Sequence, residues 1–419
     1  MGLHIKGGRV IDPASGRDAV GDVFIKDGRL SESFQKPNRV IDAKGLVVCP
    51  GFIDLAARLR EPGGEYKATL ESEMEAAVSG GVTSLACPPD TDPPLDEPGL
   101  VDMLRRRANA LSRARVYPVG ALTLKLEGEN LTEMSLLAEA GCVAFSQANV
   151  PLADNQVLWR ALQYAATFGF PVWLHAEDAS LAKGGVAHDG EVATRLGLPG
   201  IPGFAETIAI SVILEMVRAT RARVHLCRLS TAGGVELVRA AKREGLPVSC
   251  DVGIHHVHLS DMDLGYFDSN CRLAPPLRSQ RDRDALARGL AEGVVDCVCS
   301  DHTPVDEDGK HLPFAEAEPG ATGLELLLPL TLKWGAAAKL PLATVLARIT
   351  CDPARILGVA SGRLARGAPG DVAVFDPVAP QRIVPEALKS QGKNTPFIGH
   401  ELEGRVRYTV VAGNVVFEG

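Results

Sequence analysis

Three groups of side chains in this chain stand at spacings that could do chemistry. His255, His256 and His258 lie together in "GIHHVHLSD", and 256 and 258 have the i, i+2 spacing by which a strand aims two imidazoles at one point, a sound way to hold zinc. His175 closes the apolar run "PVWLHA", and Asp301 stands beside His302 in "VDCVCSDHTP". Each of these could ligate a metal, but the favoured reading is a hydrogen-bonded core histidine for His175 and an ion-paired carboxylate for Asp301. The third group is cationic. Ala56 and Arg58 follow "GFIDL" and share a strand face, with Arg60 two residues on. Alanine has no donor atom and a guanidinium stays protonated, so this strand end cannot bind a divalent cation through an HxH pair. Arg60 suits either a structural ion pair or contact with an anion. "STAGG" lacks the Gly-Lys-Ser/Thr of a phosphate loop and reads as the opening of a helix, a residual anion site being the other option.

The elements that must position these residues follow from periodicity. Eight short β-branched, apolar runs are expected as strands: 46–54, 82–88, 115–122, 142–146, 171–176, 223–229, 247–252 and 295–301. Amphipathic stretches such as "YKATLESEMEAAVSGG", "ADNQVLWRALQYAATFG", "ETIAISVILEMVRATR" and "RDRDALARGLAEG" separate them, several ending in glycine. Eight β/α units predict a TIM (β/α)8 barrel, whose working rim lies at the strands' C-terminal ends. Both chain ends are instead rich in Gly, Asp and Val, with hairpin-like stretches such as "DVFIKDGRL" and "YTVVAGNVVFEG". The expected division is a composite small β-sandwich domain from 1–48 and 358–419 around a barrel at 49–357. Residues 378–404 read as a surface excursion and are taken as a candidate interface.

Composition narrows the partners. A net charge of −8 and pI near 5.7 offer no broad cationic field for a phosphate backbone, so nucleic acid is not an expected partner. No run approaches the ~20 apolar residues that span a bilayer, the N-terminus lacks a signal-peptide core, and Lys6 breaks the myristoylation pattern. A cytoplasmic protein that engages no membrane is expected. Nine cysteines without CxxC pairs read as reduced, buried thiols.

Across nearly its whole length the chain resembles the dihydroorotases, metal-dependent cyclic amidohydrolases that close carbamoyl aspartate into dihydroorotate. The resemblance rests on "CPGFIDLAARLREPGGEYKATLES", "ACPPDTDP", "AGCVAFS", "PVWLHAED", "LSTAGG", "APPLRS", "DCVCSDHTP" and "PGATGLELLLPL", in the family's order and spacing. The resemblance implies metal ligands at positions that here carry Ala56, Arg58, Gln147, His175, Arg228 and Asp301. Only His175 and Asp301 keep the ligand type, too few to enclose two metals. It implies substrate contacts at Arg60, Asp90, Ala274 and Val305, of which the arginine alone is retained. No lysine stands where hydantoinase-like relatives carry a carboxylated one.

The expected function is therefore that of a dihydroorotase-like protein of pyrimidine biosynthesis that has lost catalysis and serves as an assembly subunit for aspartate carbamoyltransferase, as inactive homologues of the family do. No cofactor and no catalytic residue are expected beyond the relics Asp301 and Arg60, and self-association is expected, as for most such barrels. The alternative is a divergent dihydroorotase or other cyclic amidohydrolase with zinc in a rebuilt site; a ligand sensor ranks third. Arg58 or Arg228 is expected either to take the missing cation's place beside Asp301 or to have drifted into a solvated cleft.

Overall fold

The computed structural model describes residues 2–33 and 37–419. The expected N-terminal β segment includes Met1 and 34–36, which lie outside the described residues.

All eight runs form strands, Phe52–Asp54, Val82–Cys87, Arg115–Ala121, Ala144–Ser146, Val172–His175, Val224–Cys227, Val248–Gly253 and Cys297–Cys299, paired in parallel in chain order. The eighth meets the first through a parallel bridge between Ala57 and His302, with Arg58 N donating to His302 O (2.9 Å) and His302 N to Ala56 O (3.0 Å). Asp54 reinforces this seam by accepting the Ser300 amide at 2.8 Å. The barrel is closed. Its residues alternate as a pleat requires: Ile53, Leu55, Val119, Trp173, Cys297 and Cys299 pack in the interior, while Phe52, Leu85, Phe145, Leu174 and Val298 face the surrounding helices.

Local chemistry sets the helix boundaries. Thr69 and Ser72 form a capping box on Leu70–Ser79, Asp154 caps Asn155–Phe168, and Ser279 caps Gln280–Glu292. Gly169 and Gly293 end the last two in the left-handed conformation that a side chain would resist.

The first expected strand is two strands. Val47–Pro50 pairs with Val372–Phe375 in the terminal sheet, and Phe52–Asp54 belongs to the barrel. Gly51 makes the transfer, passing so close to Thr83 that an added Cβ would stand 2.2 Å from its Oγ1. Among the described residues the terminal sheet has eight strands: Gly2–Asp12, Arg17–Lys26, Arg29–Ser31, Arg39–Asp42, Val47–Pro50, Val372–Arg382, Glu401–Val411 and Asn414–Glu418. Leu3, Ile5, Val10, Ile25, Val374 and Val410 form its core.

The excursion at 378–404 is only partly a surface feature. Ser390, Asn394, Thr395 and Phe397 are buried. Asn394 Nδ2 donates to Thr303 O and Gly320 O at 3.0 Å each, and its Oδ1 accepts the Val305 amide at 3.0 Å. The polar composition that suggested solvent is satisfied internally, so the inner half of the segment is a plug on the rim beside the eighth strand.

Candidate functional site

The C-terminal rim of the barrel brings Ala56, Arg58, His175, Arg228 and Asp301 together from strands one, five, six and eight. Asp301 is the centre. Arg228 Nη1 approaches its Oδ1 at 3.1 Å and Arg58 Nη1 approaches the same atom at 3.5 Å, all three side chains being nearly withdrawn from solvent. Arg58 also donates Nε to Asp90 Oδ2 (2.7 Å) and Nη1 to Thr303 Oγ1 (3.1 Å). Arg228 donates to Ala274 O at 3.2 Å and to Asn149 Oδ1. Both guanidiniums are thus turned onto Asp301, in the space where cations would face it, rather than into a solvated cleft.

The electrostatics agree with this geometry. Burial would raise the Asp90 carboxyl, but the charge and hydrogen bond of Arg58 outweigh it and hold the group below the ordinary carboxylate range. Burial likewise opposes the charge on Arg228, and Asp301 together with Asp251 and the neighbouring Cys227 and Cys299 more than restores it. Arg60 differs from both. It donates Nε to Pro304 O at 2.8 Å, and burial with repulsion from Arg58 lowers its pKa. Its hydrogen bond is to a backbone carbonyl rather than to a carboxylate.

The backbone beneath these residues is unusual. Arg60, Ala148, Arg228 and Asp301 all lie in the left-handed region, with φ of 60°, 50°, 54° and 46°. Each costs of order 1–3 kcal/mol and persists only where its surroundings over-determine it. Asp251 supplies part of that restraint: its carboxylate accepts the Arg228 amide and lies 3.2 Å from His225 Nε2.

The donor set does not fit a metal centre. Ala56 is a buried wall residue, and Gln147 is used structurally, accepting from Thr123 Oγ1 (3.0 Å) and donating to Leu126 O (2.8 Å). His175 keeps an unpartnered Nδ1, and burial together with Arg228 holds its pKa well below the usual range. Among the described residues no group of three or more His, Cys, Asp and Glu side chains could hold an ion. The cavity between Ala56, Arg58, Trp173, Cys227 and Arg228 measures about 30 Å³. That is the share of one liquid water and far below the ~300 Å³ where ligand pockets begin.

The histidine cluster lies beside the rim, on a short helix, Ile254–His258, directly after the seventh strand. His258 Nε2 lies 2.9 Å from Leu330 O and His256 Nε2 lies 3.1 Å from Pro275 O, so each carries its proton there. His256 Nδ1 and His255 Nε2 are buried without partners, and burial lowers all three rings to a pKa of about 4. The HxH spacing does not act as a strand pair because the segment is helical. A separate cavity of about 170 Å³ is lined by Gln147, Leu158, Leu174, His175, Glu177 and Ile213.

Sequence reasoning missed several rim residues. His302 is fully buried: its Nδ1 accepts the Gly323 amide at 3.1 Å and its Nε2 lies 2.5 Å from Glu73 Oε2. Glu73 also accepts from Ser390 Oγ (2.6 Å) and the Gln391 amide (2.9 Å), tying the first helix, the eighth strand and the plug together. Asn149 and Thr303 complete the shell around the arginines. A glutamate at a core position of an amphipathic helix was the one available signal.

A closed parallel barrel joined to a sheet made from both chain ends is the architecture on which the comparisons with known proteins agree. The family profile described as "Amidohydrolase family" matches residues 169–417, and the one described as "Dihydro-orotase-like" matches 45–233. A "Dihydroorotase-like protein" of Pseudomonas aeruginosa is 45% identical, with 100% of each chain covered, and one of Pseudomonas putida is 43% identical over 99% of each. A protein of Geobacter sp. (strain M21) named "Dihydroorotase" is 41% identical over 100% of both chains. Among solved structures, the L-hydantoinase (dihydropyrimidinase) of Arthrobacter aurescens superposes with a TM-score of 0.88 at 24% identity, covering 99% of this chain and 96% of that one, a likeness of fold. The chain belongs to the dihydroorotase-like family of amidohydrolases.

Proposed function

We propose that this chain is a non-catalytic member of its family, without a metal cofactor, that acts as a structural subunit for aspartate carbamoyltransferase. The observation that carries the reading is the convergence of Arg58 and Arg228 on Asp301. Two guanidiniums neutralise the remaining carboxylate, and the cavity left over has room for little more than a water. The space beside Asp301 is too small for a cyclic amide or its open form, and His175 and Asp301, flanked by two guanidiniums, are too few ligands to hold a metal that would activate water. The fold around this rim is fully built, which suits a protein needed for its outer surface.

The test is dihydroorotase turnover in both directions with metal analysis, on the protein alone and mixed with the same organism's aspartate carbamoyltransferase, followed by size-exclusion chromatography. The expected result is no stoichiometric zinc, no turnover and a co-eluting complex. Stoichiometric zinc with turnover overturns the reading.

One observation favours a second reading, a divergent cyclic amidohydrolase. A methyl placed on Gly253 would lie 3.3 Å from His256 Nδ1 and 3.8 Å from Asp301 Oδ2, so an imidazole nitrogen without a partner and the central carboxylate border the same small space. On that reading, zinc would be held among His175, His255, His256, His258 and Asp301 after Arg58 and Arg228 swing away, and relatives named dihydroorotase match the whole chain at about 40% identity.

A further inference from the structure

The segment between the seventh strand and the next long helix carries the most exposed aromatic residue of the rim. Tyr266 is 94% exposed, Met262 59% and Phe267 39%, and the Tyr266 and Phe267 rings meet edge to face at 5.9 Å. Exposed apolar residues scattered singly are ordinary, but three within six residues on a projecting turn are not.

The turn is held rigid from below. Leu264 and Cys271 are buried, Asp268 N donates to Leu264 O at 2.9 Å, and Ser260 and Asp263 form a capping box. Phe267 stands at φ 68°, a conformation that bulky residues avoid. Lys310, itself buried, donates Nζ to Ser269 O (2.9 Å), Arg272 O (3.3 Å) and Glu318 O (2.7 Å), fastening the following segment "VDEDGKHLPFAEAE" to the base of the turn. Backbone strain and a buried lysine are thus committed to presenting two aromatic rings to solvent. A preorganised aromatic anchor of this kind is how protein interfaces build their dominant contacts.

Charge selects the occupant. Residues 261–270 expose Asp263 and Asp268, carry no lysine or arginine and bury Asp261, and the fastened segment adds exposed Glu307, Asp308 and Glu316 while its one lysine is consumed in the interior. We infer that this knob, Met262, Tyr266 and Phe267 within an acidic rim, is a docking surface for a protein partner that presents an apolar socket ringed by basic side chains. The inference rests on the subunit reading above and assigns the surface through which that subunit engages its partner.

Binding of the full chain to the same organism's aspartate carbamoyltransferase, measured by titration calorimetry at low and high salt, tests it with two variants. Tyr266→Ser removes the anchor. Phe267→Gly removes the second ring and relieves the left-handed strain, so a merely structural role predicts no loss of binding. Each variant is expected to weaken association about tenfold or more while the melting temperature stays unchanged or, for Phe267→Gly, rises. Association of the unaltered chain is expected to weaken with salt. A complex that forms equally well with both variants overturns the inference and leaves the subunit reading standing. No complex with the unaltered chain removes both. Binding that is lost on substitution but strengthened by salt overturns the basic socket. A dimer of this chain dispersed by Tyr266→Ser assigns the knob to a second copy instead.

Discussion

At the scale of single residues, the rim is a charge problem solved with protein atoms. Asp301 receives two guanidiniums, and removing the carboxylate leaves both buried, with Arg58 retaining Asp90 and Arg228 retaining only neutral acceptors. Asp301→Asn is therefore expected to destabilise the protein by about 3–5 kcal/mol, as breaking a buried ion pair from one side does. Arg228→Met, which leaves Asp301 with Arg58, is expected to cost less. Urea denaturation of the two variants gives the comparison. The buried imidazoles predict a pH dependence. His255, His256 and His258 fall from an ordinary value of 6.5 to about 4 in the folded state. Between those values the unfolded chain binds protons that the folded chain refuses, so stability decreases as pH falls from about 6.5 toward 4, by up to ~1.4 kcal/mol per unit for each ring. Asp90 adds a loss lower down: its folded pKa is depressed, so its contribution is present above about 4 and vanishes as pH falls further. Melting temperatures across this range should drop steeply below pH 6; a flat profile to pH 4 would contradict the burial of the three rings.

At the scale of elements, the strands were legible because each is a short apolar run bounded by turn residues, and a parallel barrel buries both faces of every strand. Gly51 was not legible as a boundary, since "VVCPGFID" is apolar throughout and only the approach of Thr83 shows where the chain changes sheet. Gly51→Ala is expected to cost about 1–3 kcal/mol or more through overpacking, seen as a lowered denaturation midpoint. The plug was misread for a physical reason. Serine, threonine and asparagine between prolines and glycines signal solvent, and nothing in one dimension reveals that their partners are backbone groups of the eighth strand's loop. Asn394→Ala strips partners from two carbonyls and one amide, and is expected to destabilise by about 3 kcal/mol. Hydrogen exchange should accelerate first at the Val305 amide. The arginine arrangement was half legible: guanidiniums at these positions imply a counter-charge, but the left-handed backbone at 228 and 301, and the recruitment of Asn149 and Thr303, are tertiary facts.

At the scale of the whole molecule, a barrel sealed at its rim and a composite sheet make one body whose stability draws on no bound ion under the proposed function. Dialysis against a strong chelator is expected to leave the melting temperature unchanged, whereas a metal-dependent fold would lose stability. The terminal sheet bears on how the chain comes to exist in a cell. Val47–Pro50 is an inner strand of that sheet, yet its neighbour Val372–Phe375 is synthesised only after the whole barrel. Until then the early strands wait with an open, apolar edge, and their closure must span the entire barrel. Closure of the sheet thus waits on the segment that follows the barrel. Premature termination anywhere in the barrel leaves an exposed β edge, a product suited to capture by chaperones or to aggregation rather than to a shorter folded protein.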